Sequence, residues 1–94
     1  MAAGMWWSDA ALDDLHAIRA GLTPDAAKRV GRIIVDATDC LIEFPERGHA
    51  GAAARTRELP LPGLPWRVIY GVAEEGGGVT ILRLLSASAG WSAA

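Results

Sequence analysis

Around residue 45 the apolar residues change their spacing, and that change limits the chain to a helical half followed by a stranded half. Up to that point the pattern is helical. Ala11, Leu15, Ile18 and Leu22 fall at i, i+4, i+7 and i+11, and Ala27, Val30, Ile34, Ala37, Leu41 and Phe44 continue with the same period. Ser8 is placed to cap a first helix over "DAALDDLHAIRA", and Gly21 to stop it. Thr23 and Pro24 restart the chain as cap and first residue of a second helix, which runs until Pro45. With only "GLT" between them, the two helices should form an antiparallel hairpin.

From residue 56 the apolar residues alternate instead. "RTRELPL", "WRVIYGVA" and "VTILRLLS" read as three strands, separated by the turns "PGLP" and "EEGGG". "PERGHAGAAA" reads as a loop, and "MWW" before Ser8 as a possible edge strand. Helices followed by strands, without alternation of the two, predict one α+β domain over residues 1–94: the helical hairpin packed on one face of a small twisted antiparallel sheet of about three to four strands. If Trp66, Val68 and Tyr70 face the helices, Arg67 belongs to the opposite, open face. Arg55 and Arg57 lie two apart, and Arg83 alternates with Leu82 and Leu84. Each of the three strands is thus expected to bring arginine to that open face, either as solubilising charge or as a fork of donors for phosphate or carboxylate.

The charge distribution is uneven. Residues 1–46 hold four basic against eight acidic groups, whereas residues 47–94 hold five arginines against three glutamates. The basic half hints at an anionic partner. One cysteine excludes an internal disulfide, no Cys/His set has zinc spacing, and no cofactor or metal is expected. Cys40 reads as a buried, inert thiol, and His16 and His49 as lone surface histidines. No run reaches the roughly 20 apolar residues that cross a bilayer, so no membrane association and a cytoplasmic setting are expected. With 51% hydrophobic residues, the chain should leave apolar surface for a partner. Trp6, Trp7 and Trp91 lie outside the periodic stretches and are candidates for capping the core or meeting that partner.

The succession "DAALDDL", "FPERG", "TRELPLPGLPWRVIYGV" and "VTILRLLSASAGW" resembles the RelE/ParE superfamily of bacterial toxins, from Trp7 to Trp91. The resemblance implies a small α+β toxin of a type II toxin–antitoxin module, joined in a hetero-oligomer by a ParD-like or RelB-like antitoxin. It places target-binding arginines at Arg57, Arg67 and Arg83, with Arg55 a looser match and Trp91 in the C-terminal segment. ParE-like members are associated with DNA gyrase, whereas RelE-like members cleave messenger RNA on the ribosome. Many relatives carry a histidine and an arginine in the tail, where this chain has "SASAG" with Ser86 and Gly90, and an arginine after the third-strand tyrosine, where it has Gly71. Ser86 to Ala94 contains no His, Lys, Arg, Tyr or acid. Arginine, with a pKa of roughly 12.5 or above, is a poor base, so RNA cleavage would need His49 or Tyr70 to supply proton transfer. The resemblance therefore points to a ParE-like toxin that binds a protein; the alternatives are a ribosome-dependent nuclease and a degenerate relative that only binds its antitoxin.

Overall fold

The computed structural model describes residues 4–76 and 78–89. Its elements are β1 (Met5–Trp7), α1 (Asp9–Ala20), α2 (Pro24–Glu43), β2 (His49–Ala50), β3 (Thr56–Pro60), β4 (Trp66–Val72) and β5 (Val79–Ser86). Both helices begin where the capping residues require. The Ser8 hydroxyl accepts from the Ala11 N–H at 3.0 Å, and the Thr23 hydroxyl from Ala26 at 3.3 Å. The α+β class and the hairpin are as expected. The sheet is larger than expected: five strands in the order β1-β5-β4-β3-β2, with β1 parallel to β5 and the remaining pairs antiparallel. The sheet is therefore mixed. "MWW" does form the edge strand, and two residues of the anticipated loop, His49 and Ala50, add a short strand beside β3.

One face of the sheet carries the core. Val68 and Tyr70 of β4, Val79, Ile81 and Leu84 of β5, and Leu61 pack with Ala11, Val30, Ile34 and Leu41 from the helices. Trp66 is half-buried against the same cluster, so the inward set Trp66, Val68 and Tyr70 stands. Two positions on α2 depart from the expected face. Thr38 is buried and satisfies its hydroxyl on the carbonyls of Ile34 and Val35, each at 3.0 Å. Phe44 is 56% exposed, because the chain leaves the helix at this residue (φ −127°, ψ 69°) and abandons its period. Cys40 is only half-buried, with the Arg47 Nη1 3.0 Å from its sulfur.

The alternation along β5 is broken once. Tyr70 pairs with Ile81 but Ile69 pairs with Arg83, so Leu82 is an extra residue opposite the β4 ladder. Val79 and Ile81 point inward before this bulge, and Leu84 does so after it. The bulge reverses the phase of the strand.

Candidate functional site

The register defines the sheet face opposite the helices as three rows. The first is Thr80, Gly71 and Thr56, with Trp6 beside Thr80 on the edge strand. Arg83, Ile69, Glu58 and His49 make the second, and Leu85, Arg67 and Pro60 the third. Arg67 thus lies on the outer face, yet it is far from free. Its Nε donates to Glu58 Oε1 at 2.8 Å, its Nη1 donates to the Ser86 carbonyl, and the two side chains are only 11% and 12% exposed. The second oxygen of Glu58 accepts from the Ala52 N–H at 3.2 Å. Burial alone would raise the carboxyl's pKa, but the Arg67 hydrogen bond, the Ala52 N–H and the nearby positive charge outweigh it, and Glu58 titrates below its ordinary range. Ile69, between these charged neighbours, is fully buried.

Arg83 has Ile69 as its register partner, yet its guanidinium reaches the helical layer. Its Nε and Nη2 grip the Asp14 carboxylate of α1 at 2.7 and 3.0 Å, and Asp14 also accepts the Leu84 N–H at 2.9 Å. This contact forms where β1 has ended and β5 has a free edge: β1 pairs only as far as Ile81, and the Ser8 hydroxyl takes the next carbonyl, that of Leu82, at 2.8 Å. Burial raises the Asp14 pKa, but the Arg83 hydrogen bonds, the Leu84 N–H and the Arg83 charge bring it below the usual value. The Asp14 hydrogen bond raises that of Arg83 in turn.

The expected open-face position of Arg57 is overturned. It pairs with Tyr70, whose ring is in the core, so it lies on the helix side of the sheet. There its Nη1 donates to the Gly48 carbonyl at 2.7 Å and to that of Glu46 at 3.4 Å. The Tyr70 hydroxyl secures the same turn, donating to Pro45 O and accepting the Gly48 N–H, both at 2.8 Å. Burial raises the phenol's pKa. Held in the core, Tyr70 is not placed to act on an outer-face substrate. Arg55 is not on a strand face either: it sits in the turn before β3 with φ 62°, exposed, its guanidinium 3.4 Å from Glu74. Trp91 lies outside the described residues.

The four arginines are thus dispersed between a turn, the helix side, the outer face and a sheet edge. Two carboxylate partners of these arginines, Glu58 and Asp14, were not anticipated in the sequence. Glu58 was legible, because alternation in "TRELP" puts Arg57 with apolar Leu59 and Glu58 on the other side. Asp14 had no comparable signal, since its partner lies 69 residues away and is reached only through the bulge. Among the described residues no cluster of His, Cys, Asp and Glu is arranged to hold a metal ion, and no helix is long and apolar enough to cross a membrane.

A two-helix hairpin on a mixed sheet, with Arg67 and Arg83 locked to carboxylates, defines a small α+β domain. The model of the ParE toxin of the type II toxin-antitoxin system parDE matches residues 6–91, and the chain belongs to that family. It is 36% identical over 80 residues to the Y4kP protein of Sinorhizobium fredii, covering 85% of this chain and 80% of that one. It is also 36% identical over 85 residues to toxin RelE2 of Caulobacter vibrioides, covering 87% and 92%. Among solved structures it is similar to a chain of the chromosomal ParDE system of P. aeruginosa, with TM-score 0.79, 23% identity and coverage of 90% and 96%. A chain of the intact E. coli RelBE complex follows the same fold with TM-score 0.63, 16% identity and coverage of 94% and 100%. The protein is a toxin of a type II toxin–antitoxin system.

Proposed function

We propose that this toxin acts by binding a protein target, with DNA gyrase the target its family implies, and that a ParD-like antitoxin neutralises it in a hetero-oligomer in the cytoplasm. The observation that carries this reading is the internal compensation of its arginines. Arg67 is neutralised by Glu58 and Arg83 by Asp14. Cleaving RNA through its own 2′-hydroxyl requires donors aimed at the developing phosphorane charge and a group to move the proton. Here Arg67 and Arg83 already have carboxylate acceptors, and Arg57 is spent on the Gly48 and Glu46 carbonyls. Glu58, the carboxylate of the outer face, is held ionised by its partners and is a weak base for that reason, which leaves His49, exposed beside it in the same row, as the candidate proton carrier that the message-cleavage test below must exclude. A parDE-type system and the ParDE chain of P. aeruginosa support an antitoxin of the ParD kind.

The test is to express the chain without its antitoxin and to follow supercoiling by purified gyrase together with the integrity of translated messages. Growth arrest with impaired supercoiling and intact messages is the expected result. Message cleavage with normal supercoiling would replace this reading by a ribosome-dependent nuclease, and neither effect would mean a relative that only binds its antitoxin.

A further inference from the structure

The outward face of α2 has an order of charges that its own helix does not favour. After Asp25 in the first turn, Lys28, Arg29 and Arg32 occupy its N-terminal half, and Asp36, Asp39 and Glu43 its C-terminal half, with no basic residue in the last turn. Asp25 suits the helix dipole, but a dipole also prefers cations at the end, and the carboxylates there oppose it. Lys28 with Arg32, and Asp39 with Glu43, are also like charges at i, i+4, which repel. Among the described residues, none of these four forms an ion pair within the chain. Such segregation is complementary to a partner that presents the opposite order of charges.

The same face is partly apolar. Lys28, Val35 and Ile42 follow the buried Ala27, Ile34 and Leu41 by one residue, so they form a second line about 100° round the helix. Val35 is 46% and Ile42 39% exposed. Arg32 and Asp39 flank this line and are likewise exposed. An apolar seam therefore runs along α2, basic towards one end and acidic towards the other.

We propose that this face pairs with the same face of a second copy of the chain, its two α2 helices antiparallel about a two-fold axis passing between Val35 and Asp36. The geometry follows from the numbering. An antiparallel register that sets Arg32 against Asp39 also sets Lys28 against Glu43, and the two-fold axis repeats both pairs. All four segregated charges are then compensated at once, and Val35 is set opposite Asp36 of the second copy at the centre, one residue from its own symmetry mate. From Lys28 to Glu43 the helix is only about 22 Å long. One helix pair buries less than a standard interface, so the dimer forms at micromolar concentration and weakens with salt.

Sedimentation of the full-length chain, freed of any companion, tests this. The wild type is expected to double its 9.9 kDa mass with rising concentration. Variants K28E/R32E and D39K/E43K each place like charges across the axis and should stay monomeric at concentrations about 100-fold higher. Their equimolar mixture brings opposite charges together at all four positions and should associate within about tenfold of the wild type. Circular dichroism of each variant confirms that these exposed changes leave the fold in place. A wild type that remains monomeric at about 100 µM, or a mixture that remains monomeric while the wild type pairs, would overturn the proposal. If both variants lose affinity for an antitoxin while the wild type never dimerises, the face belongs to the antitoxin and the proposal fails.

Discussion

Replacing Asp14 should uncouple α1 from β5, and the structure sets the size of the effect. The carboxylate accepts two hydrogen bonds from Arg83 and one from the Leu84 N–H, and its side chain is 17% exposed against 35% for Arg83. A hydrogen bond to a charged group contributes about 1.5–3 kcal/mol, and a buried N–H left unpaired costs about 1–3 kcal/mol. The exposure of Arg83 lets water take over part of its loss, which holds its share to the low end of that range. Asp14→Ala is therefore expected to destabilise the fold by about 3 kcal/mol, whereas Asp14→Asn keeps an acceptor for Leu84 and should lose about half as much. For a domain of this size about 3 kcal/mol corresponds to a fall in Tm of roughly 12–24 °C.

Urea unfolding followed by tryptophan fluorescence measures both variants, and repeating it against pH isolates the carboxylate. Since the folded-state pKa of Asp14 lies below its unfolded value, its contribution is complete above about pH 4 and is lost as pH falls through the lower folded value. The wild type should lose more stability than Asp14→Asn between about pH 5 and pH 2. A loss below about 1 kcal/mol for Asp14→Ala, or parallel pH profiles for wild type and Asp14→Asn, would refute the role given to this contact.

Arg67→Ala, which an exposed open-face position would make nearly neutral, should instead cost about 3 kcal/mol by leaving the Glu58 charge poorly solvated and unpaired; Glu58→Gln/Arg67→Ala should recover part of it in a double-mutant cycle. Gly48→Ala should prevent the turn after α2 from closing, because the added Cβ would sit 2.6 Å from the Tyr70 hydroxyl and 2.8 Å from the Glu58 carbonyl; a thermal midpoint within a few degrees of wild type would contradict this.

The helical half was readable because each of its signals is local. Ser8 and Thr23 cap through N–H groups three residues away, and Pro24 and Pro45 bracket α2, so the sequence carries both ends of each element. The sheet was harder to read for equally physical reasons. β2 is two exposed residues whose strand character comes only from pairing with Arg57 and Glu58, and β1 pairs with a strand more than 70 residues away. Arg57 could have been placed from Leu59, which shares its face. Arg83 does fall in the outer row that its alternation with Leu84 gives, but only because one extra residue at Leu82 resets the phase set by Val79 and Ile81, and nothing in "VTILRLLS" marks that bulge or the reach of the guanidinium to Asp14.

That single residue also bears on what the toxin can recognise. Past the bulge β5 no longer has β1 as a neighbour, so the Leu84 N–H and the Arg83 guanidinium need acceptors from elsewhere, and Asp14 serves both. An external phosphate could claim Arg83 only by displacing a carboxylate that also caps the backbone, exchanging one charge-assisted contact for another while leaving an N–H unpaired. The same holds at Arg67, where the competitor is a Glu58 carboxylate anchored on Ala52. Net gain from either exchange is small, because breaking a buried pair leaves its other member desolvated and unpaired. On the protein-binding reading proposed above, recognition draws on shape and apolar contact, and the exposed Trp6 indole beside Thr80, with the side-chain-free Gly71 next in the row, is one part of the outer face that a partner could cover without first breaking an ion pair.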